Sequence, residues 1–161
     1  MHIIIATGGF DPLHTGHIAY LTAAKSLGDY LVVGVNSNDW LTRKKGAYFL
    51  DFNERMMLVN SLKPVNAVLA WDDSNDTASE LLRNLLIVYK GQHSITFANG
   101  GDRTEHTTPE ASIPGIRCVY GVGGTAKLNS SSSILDDYIV RKNNASDSSN
   151  SNNNNNNITT I

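Results

Sequence analysis

The feature that most narrows the fold of this chain is an alternation. Five short apolar runs take turns with stretches that carry apolar residues at helical spacing. The first run, IIIA at residues 3–6, is closed by glycine and reads as a buried strand. Residues 17–27 follow, with Ile18, Leu21, Ala24 and Leu27 on one helical face and Gly28 as a stop. Residues 30–37 (YLVVGVNS) are a second strand, and residues 38–49 a loop carrying Arg43, Lys44 and Lys45. Asp51 and Glu54 have capping-box spacing, so a helix is expected over 51–62. Residues 65–71, 94–103 and 116–124 are read as the remaining strands, the last two running into glycine loops, and 76–90 and 131–142 as the remaining helices. Short, uninterrupted apolar strands separated by helices predict an α/β fold: a Rossmann-like, doubly wound, parallel five-stranded sheet in a single domain, covered on both faces.

The domain is expected to end at residue 142. The Asn/Ser-rich text of residues 143–161 has almost no apolar content and is expected to be disordered. A length of 161 residues suits one domain, and the net charge of -2 carries no basic footprint for nucleic acid. Cys118 is the single cysteine, so no disulfide within the chain is possible. It reads as an inert core residue of a protein in a reducing compartment. The N-terminal apolar run is short and lacks a cationic region before it, unlike a signal peptide or a membrane span. A cytoplasmic protein without a membrane partner is expected.

In open α/β sheets, ligands bind beyond the carboxyl ends of the strands. Four of the five expected strands run there into glycine-rich or polar-basic text: TGGFDP, NSNDWLTRKKG, ANGGDRTEH and GVGGTAKLNSSSS; the third runs into the acidic DDSND. The unusual chemistry therefore collects at one edge. Its centre is GGFDPLHTGH, residues 8–17. Glycine after a strand lets the backbone approach a phosphate, and a helix start behind it offers free N–H groups. A lone histidine there would ordinarily be a surface residue. His14 and His17 together, between glycine turn and helix, point to an anion grip.

This stretch resembles the nucleotidyltransferase family defined by an HxGH signature, here His14-Thr15-Gly16-His17 preceded by Gly8-Gly9-Phe10-Asp11. Residues 27–46 are similar to the second strand and lysine loop of the glycerol-3-phosphate cytidylyltransferase and heptose-phosphate adenylyltransferase groups. NERMMLVNSLKPVNAVLAWDD, residues 53–73, resembles their helix with a phosphate-contacting arginine, here Arg55. Gly100-Gly101-Asp102-Arg103 resembles a GGD segment at the fourth strand, and NSSSSIL at 129–135 a serine-rich phosphate motif. The resemblance covers about residues 1–140. It implies transfer of AMP or CMP from a nucleoside triphosphate to a small phosphorylated acceptor (a sugar, polyol or cofactor-precursor phosphate), with release of pyrophosphate. It implies His14, His17, Lys44 and Lys45 as catalytic groups. Gly8, Gly9, Phe10, Asp11, Gly16, Arg55, Arg103, Asn129, Ser130, Ser131, Ser132 and Ser133 would bind nucleotide and phosphate, with Gly100, Gly101 and Asp102 toward the substrate. Mg2+ would come with the triphosphate, no residue being expected to hold a metal, and relatives of this size often form homodimers. The segment AKLNSSSSIL is closer to adenylyltransferases than to the Arg-Thr-Glu-Gly-Ile-Ser-Thr form of cytidylyltransferases, so ATP and CTP both stay open.

Other residues have plainer readings. Lys44 and Lys45 could be a solvated loop, and the serines helix-cap text. Trp40 and Trp71 read as packing residues. Arg55 gains nothing from the dipole near a helix start, which favours a functional role. Two rival functions stand beside transfer: a nucleotide-binding sensor without turnover, and a detached piece of a class I aminoacyl-tRNA synthetase.

Overall fold

The computed structural model describes residues 1–89, 91–101, 103–124 and 130–153, with the backbone alone for 148–153. The IIIA run lengthens to His2–Gly8 (β1) and lies at the centre of a parallel sheet. The other strands are Tyr30–Val35 (β2), Ala67–Leu69 (β3), Ser94–Ala98 (β4) and Ile116–Val119 (β5). Their order is β3-β2-β1-β4-β5, and every pairing is parallel. β1 pairs with β2 from Ile3↔Tyr30 to Gly8↔Val35, and with β4 from His2↔Ser94 to Ile5↔Phe97. The winding direction reverses between β1 and β4, which opens a crevice at their carboxyl ends. The doubly wound five-stranded sheet is the one the alternation predicts.

Strand periodicity divides the core. Ile4 and Ala6 face one side with Leu21, Ala24, Val33 and Val59; Ile3 and Ile5 face the other with Leu81, Leu82, Leu85 and Phe97. The helices Thr15–Lys25 (α1) and Phe52–Asn60 (α3) supply the first cluster, and Ser79–Tyr89 (α4) the second. Two 3-10 turns, Glu105–Thr107 and Pro109–Ser112, precede β5. Glu110 in the second turn is buried and accepts a hydrogen bond from Ala78 N at the start of α4.

Several expectations need correction. Residues 38–45 are a helix, Asn38–Lys45 (α2), not a loop. Ser37 Oγ accepts from Trp40 N at 3.0 Å, and Gly46 closes the helix at φ 88°. Arg43, Lys44 and Lys45 crowd its last turn, where cations suit the helix dipole. α1 begins at Thr15, two residues early, because His14 caps it. Its face also differs: Leu21 and Ala24 are buried, while Ile18 and Leu27 are exposed. Gly28 is not its stop; a Cβ there would meet His2 O at 2.7 Å, so it permits a close backbone approach. The last helix, Ser131–Asn153 (α5), runs eleven residues beyond 142 into text expected to be disordered. Once a helix is nucleated, each added residue costs little, and Asn and Ser disfavour it only mildly. No described helix is long and apolar enough to cross a membrane.

Candidate active site

A cleft of about 560 Å³ opens at the carboxyl ends of the strands, where the winding reverses. Its floor and lip are built by the Gly8–His17 segment. A Cβ at Gly8 would come to 3.0 Å from the Phe10 ring, so a side chain there would have to press the ring aside. Phe10 takes φ 51°, a conformation that costs a residue with a Cβ roughly 1–2 kcal/mol. Burying its ring returns about 1.5–3 kcal/mol. The ring ends edge-on to His17, with centroids 5.1 Å apart. Phe10 therefore supports the cleft from beneath.

Two histidines cap α1 reciprocally. His14 Nδ1 accepts from Gly16 N at 3.1 Å, and His17 Nδ1 accepts from His14 N at 3.3 Å. A ring nitrogen that accepts carries no proton, so each imidazole in its neutral form bears its hydrogen on Nε2. The rings stack at 3.8 Å and both line the cleft. Burial, then the neighbouring His14 and Lys45, push His17 down to about 4. Burial, then Lys45, lower His14 as well. At neutral pH the cleft thus presents two neutral N–H donors beside a cation.

The other expected residues separate into wall and support. Gly16, Lys45, Gly100, Gly101, Arg103, Ser130, Ser131 and Ser132 line the cleft with the histidines and Gly8. Gly100 lies so near Tyr20 that a Cβ would touch its ring at 2.9 Å, and Tyr20 donates to Ala98 O at 2.7 Å. Gly9, Phe10, Asp11, Lys44, Arg55 and Ser133 are not in the wall. Gly9 abuts Leu41, where a Cβ would come within 2.8 Å. Asp11 is buried and accepts from Phe49 N and Leu50 N, fastening the loop after α2. Lys44 pairs with Asp76 at 3.3 Å.

Arg55 is the plainest correction. It is 0 % exposed, and its guanidinium donates to Leu50 O, Gly9 O, Asn36 O and Asn38 Oδ1 at 2.7–2.9 Å. A guanidinium enclosed in this way has no face left for a phosphate. It staples the glycine turn to the loops after β2 and α2. The serines divide too. Ile134 N donates to Ser130 O, and Ser130 Oγ takes the N–H of Ser133 at 3.1 Å, so Ser130 caps α5. Ser131 Oγ donates to Pro12 O at 2.9 Å, which ties α5 to the histidine loop and occupies that hydroxyl's proton. Asp102 and Asn129 lie outside the described residues.

The structure adds Tyr20, Asn36, Trp40, Trp71, Asp76, Thr77 and Asn99 to the wall. Trp71 packs on the core as expected, and both tryptophans also line the cleft. Asn36 and Asn99 directly follow β2 and β4, and a polar residue just past a strand end was the available signal. Tyr20 follows His17 by three positions, on the same helix face.

The family model described as cytidylyltransferase-like matches residues 5–111. The bifunctional protein HldE of Pasteurella multocida (strain Pm70) is 35% identical over 130 residues, which cover 78% of this chain and 24% of that protein. HldE of Actinobacillus pleuropneumoniae is 37% identical over 111 residues, 62% of this chain and 23% of the relative. The chain thus spans about a quarter of the length of these curated relatives. Among solved structures, the lipopolysaccharide core biosynthesis protein from Thermoplasma volcanium GSS1 superposes with a TM-score of 0.56 at 28% identity, covering 74% of this chain and 95% of that one. With the sheet order, the helix-capping histidines and the family match in agreement, the chain belongs to the cytidylyltransferase-like family of nucleotidyltransferases.

Proposed function

We propose that this chain transfers AMP or CMP from a nucleoside triphosphate to a small phosphorylated acceptor, a sugar, polyol or cofactor-precursor phosphate, releasing pyrophosphate. The observation that carries the reading is the pair of imidazoles that cap α1 through Nδ1 and line one cleft with Lys45, Arg103 and the start of α5. An oxygen of the acceptor phosphate attacks the α-phosphorus, and the bond from that phosphorus to the bridging oxygen of the β-phosphate breaks. The electron pair leaves with pyrophosphate. A phosphate monoester is already an anion at neutral pH, so the step needs no base. What it needs is charge stabilisation and alignment.

His14 and His17 would donate to the α-phosphate oxygens without giving up a proton. The backbone N–H groups at the start of α5 would hold the departing phosphates, an anion site of the usual helix kind. Ser131 would act there through its backbone, because its hydroxyl proton is engaged with Pro12 O. Mg2+ would enter as the triphosphate complex. The serine-rich start of α5 favours ATP. A screen of four nucleoside triphosphates against sugar, polyol and cofactor-precursor phosphates, read as pyrophosphate release, tests the proposal. Release with one nucleotide–acceptor pair is the expected result. Triphosphate binding without release across the panel would leave a nucleotide-binding module instead.

A further inference from the structure

The rim of the cleft on the β2 side is formed by α2 and by the turn after β3, and the two are tied together. Asp73, 4 % exposed, accepts from Ser37 N at 2.8 Å, Ser37 Oγ at 2.7 Å and Asn36 Nδ2 at 3.1 Å, which fixes the start of α2. Asp76 N donates to Asp73 O at 3.0 Å, and Arg43 Nη2 donates to the same carbonyl at 2.7 Å. Asp76 sits at φ 63°, in the left-handed region that Asp enters at a cost. Its carboxylate receives Arg43 Nη2 at 3.2 Å and Lys44 Nζ at 3.3 Å. It is the one carboxylate among the described residues that line the cleft.

A negative charge on the wall of a cleft for polyanions works against filling it. Exposed ion pairs of this kind contribute little to folding, about 0–1 kcal/mol. Neither binding nor stability accounts for Asp76, so its use lies in placement. We infer that Asp76 is a positioning residue, which holds Arg43 and Lys44 so that Lys45 is the α2 cation that enters the cleft. The inference rests on the proposed nucleotidyl transfer. Lys44 is held at a second point by Trp40, whose ring centroid lies 5.9 Å from Nζ, while Lys45 lines the wall with the histidines.

Two variants of the full chain test it. Asp76→Asn keeps the side-chain shape and tolerates the left-handed backbone; Asp76→Gly removes the side chain and adopts that backbone freely. Both should lower kcat at least tenfold, leave the triphosphate KM unchanged or lower it, and hold Tm within about 2 °C. A kcat within twofold of the parent would overturn the inference. So would a kcat loss that follows a fall in Tm in both variants, or a raised KM at constant kcat, which would make Asp76 a substrate contact. Acetylation by an N-hydroxysuccinimide ester, followed by peptide mass spectrometry, reads the tether without turnover. Lys44 should be labelled at least threefold faster in Asp76→Asn than in the parent, and an unchanged rate would overturn the inference even if no acceptor were found. Lack of pyrophosphate release by the parent itself would instead count against the proposed function.

Discussion

His14 and His17 each spend one ring nitrogen on the helix and keep the other for a ligand. Protonating either Nδ1 would break a cap bond and add charge to a stacked pair beside Lys45. The ring of His17 should therefore titrate with a midpoint near 4 in side-chain NMR, and a midpoint near 6.5 would contradict the capping geometry. The sign for stability follows. The unfolded chain binds this proton at about 6.5 and the folded one only near 4, so stability falls as pH falls through that window and levels off below it. The loss traceable to His17 is on the order of 3 kcal/mol at most. Arg55 makes the opposite kind of prediction. Arg55→Met should unfold or strongly destabilise the chain, by about 3 kcal/mol or more, since it strands buried carbonyls. A variant with unchanged Tm and a raised triphosphate KM would restore the phosphate-contact role.

At the scale of elements, the glycine turn and the histidine pair were legible because the signals are local: a strand, two glycines, and two imidazoles three residues apart. α2 was not, for a physical reason. NDWLTRKK is polar, only Leu41 among its residues is buried, and its N-terminal anchor Asp73 lies 36 residues beyond Ser37. Arg55 shows the same limit, since three of its four acceptors are backbone carbonyls of Gly9, Asn36 and Leu50, contributed by separate segments. The serines looked like phosphate donors in the sequence, and one of them is tied to Pro12 across 119 positions. α5 continues through residues 143–147 with every side chain exposed. Deleting residues 145–161 should therefore change stability by less than about 1 kcal/mol and leave turnover intact. A larger loss in a denaturant titration would mean that this segment docks.

For the molecule as a whole, the alternating pattern was enough to predict the sheet, because parallel strands buried on both faces and right-handed crossovers leave few alternatives. The sheet in turn determines where chemistry can gather: the crevice between β1 and β4 receives residues that follow all five strands, including some that looked ordinary in the sequence, such as Trp71 and Asn99. The central claim is that neutral imidazole N–H groups at this crevice stabilise the transferring phosphate. His14→Asn tests it most directly, since Asn remains a good helix cap and lacks the distal N–H. Steady-state kinetics with the nucleotide and acceptor identified by the pyrophosphate screen should show kcat reduced by about 10²- to 10³-fold, with a much smaller change in the triphosphate KM and little change in Tm. A His14→Asn enzyme that keeps near-parental kcat would contradict the account.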